Sequence, residues 1–589
     1  MTPASQERSG RLASTLVWSV WAAMLAVALL AIARYGPEIP RAEDWLLVPA
    51  LTGHAPSIGA WLWAQNSEHR VPLPQLAYLA LLKATGGDFR AAMVFDTLAL
   101  AALAAAMMLA ARRLRGRTSV VDALFPVIFL HLGHWDNLIW SWQIQFVAST
   151  LLAGAFVLIV VTWSETLTPP RAALTALCLV ALPLCGANGL ALAPVFALWA
   201  VYTAARVSRT SPDSTARTTA ALLAGGAAVA AALVAVYFIG YERATWYPDS
   251  PGRSVTARIA AQFLAMAFGP GVAVSWRVLV VVTLAVVTAT LVLLILRLRD
   301  GSAQGRQRAV GLLCIVSAML LLAVALAWGR GGRVATSGLS RRYALLAVPL
   351  LCGVFFAWQL YAPRRWATRV QAALLLVAVA LLPANTRAGL AARDWVEQGM
   401  DAVRHDIAAG MPRPLLAERH RPFLLHWDGE RLAAGMRMLG NAGIRPFAGL
   451  PDDFGVEEIS VADAPGGTVR LPQPRHVYAV RLSVAPDAGS PSATGIRLAW
   501  RGTDGSVRRE AVPPPAPGEA GDSFATLWIN DVVDRFTVEA DEPPRLRGLR
   551  LLLLSRPRAE THAPRRPAAS APASSARAPA ASQAARTGG

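Results

Sequence analysis

The sequence predicts a polytopic α-helical membrane protein of about eleven spans, with a C-terminal extracytoplasmic α/β part containing a small β-sandwich. Three observations lead there. Of 589 residues, 54% are hydrophobic and only 16% are charged, with a mean hydropathy of +0.42, against about 25% charge in a soluble domain. Apolar runs long enough to cross a bilayer recur between residues 12 and 384. After residue 385 the pattern changes to amphipathic helix, then to short alternating runs between turn-rich segments.

Spans fall near residues 12–33, 91–111, 119–133, 140–162, 172–187, 189–205, 218–240, 272–296, 309–328, 343–361 and 369–384. The first follows Arg8 and Arg11 but is too long for a signal-peptide core and lacks a small-residue cleavage site. It therefore reads as a retained span, with 1–11 as a cytoplasmic N-terminus. Loop charge tests the count. RRLRGR (112–117), WSETLTPPR (163–171), RVSRTSPDSTAR (206–217), RLRDGSAQGRQR (297–308) and PRRWATR (363–369) all follow even-numbered crossings. With the N-terminus inside, all five fall in the cytoplasm, as the positive-inside rule requires. The outer loops are then 34–90, 131–138, the turn at Ala187-Asn188-Gly189, 241–271 and 329–342, and the C-terminal part is extracytoplasmic. Leu73–Lys83, and the run from Arg258 to Phe268, read as interfacial helices within outer loops.

The soluble part divides into a helical region, 386–470, and a β-region, 471–556. Residues 394–410 and 417–444 read as helices. Strand-like alternation marks 477–484, 495–502, 524–531, 535–540 and 546–555, a spacing typical of an antiparallel sandwich. The Ala/Pro/Ser/Arg-rich tail, 557–589, cannot bury a core and reads as disordered.

Composition narrows the function. The net charge of +19 rests on 56 basic residues, of which Lys83 is the sole lysine. Much of the excess sits in short loops, so no nucleic-acid partner is needed to explain it. Cys178, Cys185, Cys314 and Cys352 lie in apolar segments without a CxxC pattern, so they read as small core residues rather than disulfide or metal positions. There is no Walker A, HExxH, GxSxG or kinase motif.

Candidate functional groups collect in the outer loops. Glu43-Asp44 is a general base with a partner carboxylate, or an acidic helix N-terminus before Trp45. Glu68-His69-Arg70, pinned by Pro72 and Pro74, offers a proton carrier and a phosphate clamp, or a solvated loop. His131, His134, Asp136 and Asn137 lie among Trp135, Trp140 and Trp142, with Gln143 and Gln145 beyond. Interfacial anchoring explains the tryptophans; stacked rings beside amides and a carboxylate also suit a sugar. Asn188-Gly189 is a turn or a substrate-facing amide. Tyr241-Glu242-Arg243 and Trp246-Tyr247-Pro248-Asp249 form an aromatic-acidic loop. Arg330, Arg333, Ser340, Arg341, Arg342 and Tyr343 form a basic cluster on the side where the inside rule does not favour one. An anionic partner, a lipid phosphate or pyrophosphate, accounts for it; so does head-group anchoring.

The topology and the acidic pair at the start of the first outer loop resemble the GT-C class of integral-membrane glycosyltransferases. EHRVPLPQLAYLALLKATGGDF, HWDNLIWSWQIQF, ANGLALAP and SGLSRRYALLAVPLL are also similar to a largely uncharacterised bacterial group of polytopic proteins associated with that class. The resemblance covers residues 12–385. It implies a polyprenyl-phosphate sugar donor and a glycan, lipid or protein acceptor. Asp44, with Glu43, would activate the acceptor hydroxyl, and one of Arg330, Arg341 and Arg342 would contact the donor phosphate. It also implies an inner-membrane setting, and a glycan-binding role for the C-terminal module. A second acidic motif is lacking, Asp136 and Asp249 being only stand-ins, so a divalent cation, Mg or Mn, stays open. Two other readings stand beside it: a transporter or flippase for an envelope lipid or glycan, and a non-catalytic envelope assembly protein.

Overall fold

The computed structural model describes residues 3–556 except 164–166, 211–212, 246–247, 250–251, 301, 426, 462–463, 485–495, 503, 515, 518–522 and 541–548. The tail expected at 557–589 and the Trp246-Tyr247 part of the aromatic loop lie outside the described residues. The chain divides into two compact units, residues 1–452 and 453–589.

The first unit is helical. α1 (Pro3–Tyr35) leads through a 3-10 turn at Ala42–Leu47 into α2 (Val48–Leu51), α3 (Ile58–Trp63) and α4 (Pro72–Ala84). α5 (Ala91–Arg115) ends at Gly116, whose φ of 78° is the left-handed cap that glycine adopts without strain. α6 (Leu124–Leu130) and α7 (Trp135–Leu138) follow, then α8 (Ile144–Trp163), α9 (Pro169–Ala181), α10 (Ala187–Thr210) and α11 (Ser214–Tyr237). α12 (Arg253–Ala265) precedes α13 (Trp276–Asp300), α14 (Ala303–Arg330), α15 (Ala344–Tyr361) and α16 (Arg364–Ala408). α17 (Arg413–Leu424) and α18 (Gly429–Asn441) complete it.

Among the described residues, nine helices are long and apolar enough to cross a membrane. Each coincides with an expected span. The other two expected spans, 119–133 and 172–187, hold shorter helices. α6 has seven residues, all buried, flanked by 3-10 turns at Val120–Ala123 and Leu132–His134. Irregular backbone is tolerated at membrane depth where protein surrounds it. α9 is extended by a 3-10 turn at Leu182–Cys185.

The loops sort to two ends, as alternating traversal requires. At one end Arg115 bonds Asp122 and Gln359, Arg297 bonds the Tyr361 carbonyl, and Tyr361 bonds the Gly305 carbonyl. At the other, Gln65 bonds the backbone of Glu242, Asn137 bonds the Arg342 carbonyl, and Asn385 bonds the Phe268 carbonyl and the Gly271 amide. The core between them is a continuous apolar cluster in which α15 is buried along most of its length. Small residues permit close helix approach: Gly154 faces Leu103, Gly226 faces Ala176 and Gly311 faces Val160.

One boundary differs from the expectation. The final span does not stop near residue 384; α16 continues for 45 residues through the expected helix at 394–410. At 1.5 Å per residue it is about 68 Å long, against about 30 Å for a bilayer core. Pro383 lies within it, and no further proline follows before Pro412. α17 is tied back to α16 by Asp406, which accepts from Arg419 at 2.9 Å and pairs with His420 at 2.7 Å. α18 packs on the first long loop, with Gly435 against the Trp45 ring and Phe447 edge-on to it at 5.7 Å.

The second unit is an antiparallel sheet of β1 (Gly455–Ser460), β2 (Thr468–Val484), β3 (Ile496–Gly502), β4 (Val507–Ala511), β5 (Ala516–Pro517), β6 (Ser523–Ala540) and β7 (Leu549–Ser555). The order is β1-β7-β2-β6-β3-β4, with β5 also on β6. The expected sandwich of two sheets is instead one continuous sheet. β2 and β6 pair along most of their length, and the expected strands 524–531 and 535–540 are both parts of β6. Register shifts between Arg470 and Arg475 and between Val477 and Ala479 break the alternation that would reveal the length of β2. Both halves of the sheet share one core, with Val480, Leu482, Leu551 and Leu553 from one half and Leu498, Trp500, Phe536 and Val538 from the other.

Candidate functional site

The acidic pair divides its work. Arg41 is extended, and the 3-10 turn after it places Asp44 so that one carboxylate oxygen accepts from the Arg41 amide at 3.2 Å. The other accepts from the Tyr78 hydroxyl at 3.0 Å. Asp44 is 2% exposed. Burial pushes its carboxyl up to about 7, against the opposing pull of those two hydrogen bonds and the Arg41 charge. Asp44 thus caps the turn and anchors it to α4, as the helix-terminus reading expects. Glu43 is held differently. Its Oε2 is buried without a hydrogen-bond partner. Burial raises its carboxyl; a hydrogen bond from its own backbone and the charges of Arg342 and Arg41 oppose the rise, and Glu68 adds to it.

Arg41 itself escaped the sequence reading. Its guanidinium lies over Trp140 at 4.6 Å and Trp395 at 5.6 Å, and its Nε has no partner. The one sequence signal was an arginine on the side where basic residues are disfavoured.

The second polar triplet also splits. A backbone bridge between Asn66 and His69, with Ser67 at a φ of 57°, turns Glu68 and His69 to the same side. His69 Nε2 lies 3.1 Å from Glu68 Oε1, and Arg330, 262 residues further on, pairs with the same oxygen. Burial alone would raise the Glu68 carboxyl; His69, Arg330 and Ser67 outweigh it and hold the group well below the usual carboxylate range. Arg70 turns away. Its guanidinium donates to the carbonyls of Ile239 at 3.1 Å and Gly240 at 2.8 Å, and its amide to the Tyr237 hydroxyl at 2.9 Å. It braces two loops, so it is not the phosphate clamp expected of it.

Beside the Glu68–Arg330 pair lies a cavity of about 590 Å³. Its polar side is Glu68, His69, Asn188, Tyr241, Arg243, Arg330 and Tyr343; its apolar side includes Phe146, Phe238, Leu322, Leu326 and Trp328. Tyr343 is buried edge-on to Phe146 at 5.9 Å. Arg342 lies over the Tyr343 ring at 5.4 Å, with its Nε lacking a partner. Asn188 occupies the cavity wall because Gly189 lets α10 approach the Leu182 carbonyl closer than any Cβ would permit.

The aromatic stretch 131–143 does not form the expected sugar shelf. His134 is fully buried, stacked on His131 at 4.0 Å, with Nε2 donating to the Ile128 carbonyl at 2.9 Å. Trp135 is buried against Tyr35. Asp136 pairs with Arg341 at 3.5 Å, and Arg341 also reaches the Ala388 carbonyl. Asn137 holds the Arg342 carbonyl. Gln143 is buried with neither amide atom bonded. None of these residues lines the cavity; they position the segment that does.

The structure therefore gathers Glu68, His69, Asn188, Arg330 and Tyr343 at the cavity, with Glu43 and Arg342 in electrostatic reach of one another and of that cluster. Among the described residues no group of three His, Cys, Asp or Glu side chains could hold a metal ion. Each Asp44 oxygen is already hydrogen-bonded, to the Arg41 amide and the Tyr78 hydroxyl. No protein-family model matches the chain, and no curated protein matches it.

Proposed function

We propose that the helical unit transfers a sugar from a polyprenyl-phosphate donor to a hydroxyl acceptor at the extracytoplasmic face of a bacterial inner membrane. One observation supports this most: a carboxylate, an acid–imidazole–guanidinium group and a second arginine, drawn from loops some 300 residues apart in sequence, meet beside a cavity with one polar and one apolar side. An amphiphilic anion needs such a surface. The prenyl chain would lie along Phe238, Leu322 and Leu326, with the phosphate toward Arg330 and Arg342.

In the transfer, the acceptor hydroxyl gives its proton to a carboxylate as its oxygen bonds the anomeric carbon. The bond from that carbon to the phosphate oxygen breaks, and the electron pair leaves on the polyprenyl phosphate, facing the arginines. Glu43 suits the base better than Asp44, whose oxygens are occupied, or Glu68, whose negative charge is held by Arg330. Membranes carrying Glu43→Gln should transfer labelled sugar at least about 100-fold more slowly than wild type. Asp44→Asn should lose less. Full activity in Glu43→Gln removes the proposed base.

A second reading, a transporter or flippase, draws on one specific observation: Asp96, within α5, is wholly buried and neither oxygen has a hydrogen-bond partner. Movement of intact labelled lipid across vesicles without sugar transfer would favour it.

A further inference from the structure

A separate cavity of about 150 Å³ lies where the last turn of α1 meets the second half of α16. Trp135, Val396 and Met400 give it a buried apolar floor. Tyr35 is one wall, its ring 5.7 Å from that of Trp135. The rest of the lining is charged: Arg34 from α1, and Arg393, Glu397, Asp401 and Arg404 from α16. The four from α16 recur every three or four residues and so share one face of the helix. Two lengths place the cavity at the level of lipid head-groups. The apolar stretch of α1, Gly10–Tyr35, has 26 residues, or about 39 Å. Arg393 lies about 44 Å along α16 from Arg364. A bilayer with its head-group regions is about 40–45 Å thick. Lipid also has access, since only 22% of the most apolar window of α1 is buried by protein.

The charges do not cancel in place. Arg404 pairs with Asp401 at 3.0 Å and with Glu38 at 3.5 Å. Arg393 is held by Asp394 at 2.5 Å and reaches Glu397 only at 3.9 Å. Arg34 is exposed and touches no carboxylate among the described residues; its guanidinium lies over the Tyr35 ring at 5.4 Å. The cavity thus offers an unneutralised guanidinium from one helix and a loosely held carboxylate from the other. A matching ligand carries an anionic group toward Arg34 and a cationic group toward Glu397 and Asp401. Phosphate suits the guanidinium. A primary ammonium suits the acids, having three N–H donors for two carboxylates. A quaternary ammonium would need a free aromatic face. The Tyr35 ring already carries Arg34 and Arg393, each at 5.4 Å, and Trp135 is 2% exposed. A purely anionic head-group would meet Glu397 and Asp401 without compensation. We propose that this cavity is a phosphoethanolamine site, filled by the head-group of a phosphatidylethanolamine whose chains lie along α1. Val396 and Met400 would then meet the two methylenes between phosphate and ammonium.

The test uses the full chain in nanodiscs of phosphatidylethanolamine, phosphatidylglycerol and phosphatidylcholine in equal parts with matched chains. Lipid kept by the protein on transfer to detergent is counted by native mass spectrometry. Wild type should keep one phosphatidylethanolamine per chain, at least about tenfold over either other lipid. Arg34→Gln and Glu397→Gln, shown folded by size exclusion and melting, should each lower that retention at least about tenfold. Arg112→Gln, at the opposite end of the helical unit, should retain the lipid as wild type does. Soluble phosphoethanolamine added to delipidated protein separates the two sources of this chemistry. Failure of it to bind assigns the site to the lipid; binding to wild type and not to Arg34→Gln assigns it to a free zwitterion instead. The proposal is overturned if phosphatidylglycerol is kept as well as phosphatidylethanolamine, which leaves an anion patch only. It is equally overturned if both folded variants keep phosphatidylethanolamine as wild type does.

Discussion

Arginine is used in opposite ways at the two ends of the helical unit. At one end Arg112, Arg113, Arg209, Arg217, Arg299, Arg364, Arg365 and Arg369 are exposed, while Arg115, bonded to Asp122, is half-buried. At the other, Arg41 is stacked between tryptophans, Arg330 is paired with Glu68 under cover, and Arg342 sits over Tyr343. The first pattern needs only water or head-groups around it. The second places desolvated positive charge where the sign rule for loops does not ask for it. Exposed arginines of this kind report how a chain traverses the bilayer; under the proposed function, the covered ones mark where an anion is held.

The largest effect that would sharpen the contrast is at Arg330. Arg330→Ala leaves the Glu68 carboxylate under cover with His69 and Ser67 but no arginine beside it, and should reduce sugar transfer at least about 100-fold. Melting of the purified protein should show a loss of about 2 kcal/mol, below the cost of a fully buried pair. The double variant Glu68→Gln/Arg330→Ala should recover most of the stability and none of the activity.

A change in the framework should come next. Gly389 of α16 faces the Leu132 carbonyl so closely that an added Cβ would lie 2.0 Å from it. Gly389→Ala should therefore destabilise that end of the helical unit by about 1–3 kcal/mol, seen as a lower melting temperature.

The pH dependence is more modest to detect. Asp44 is raised from its ordinary 3.8 to about 7. The folded state thus holds a proton that the unfolded state releases, so this contribution is present below about pH 4 and is lost as pH rises toward 7. Its size is about 4 kcal/mol at most. Glu43 acts in the same direction. Glu68, held low, works oppositely and only as pH falls below the ordinary carboxylate range. Between pH 5 and 8 the melting temperature of wild type should fall with pH, and that of Asp44→Asn should be flatter.

The smallest effect belongs to the exposed end. Arg112→Gln with Arg113→Gln should change stability by less than about 0.5 kcal/mol and leave transfer unaltered. A loss comparable to that of Arg330→Ala would erase the distinction between the ends.

Much of this was legible in the sequence, for identifiable reasons. Long apolar runs and loop charge located the nine long helices, because hydrocarbon thickness and charge placement act along the chain. They also located the two short segments, where burial by other helices replaces length. They did not show that α16 passes through Asn385 without a break, since the change there is in polarity and not in helix propensity. At the site, Glu68, His69, Asn188, Arg330 and Tyr343 were identified from their placement in outer loops. The roles of Arg70, His134 and Trp135 were not, because a carbonyl acceptor or a stacking partner comes from distant sequence. Asp96 was passed over because one acid in a 25-residue apolar helix hardly alters its hydropathy; its significance lies in the absence of a partner.

Binding of polyprenyl phosphate to the full chain in nanodiscs addresses the account most directly. Wild type and the Arg112→Gln/Arg113→Gln variant should bind it equally, and Arg342→Gln, which breaks no ion pair, should bind at least tenfold more weakly. Equal binding by all three proteins would contradict the assignment of the covered cluster as the place where an anionic lipid is held.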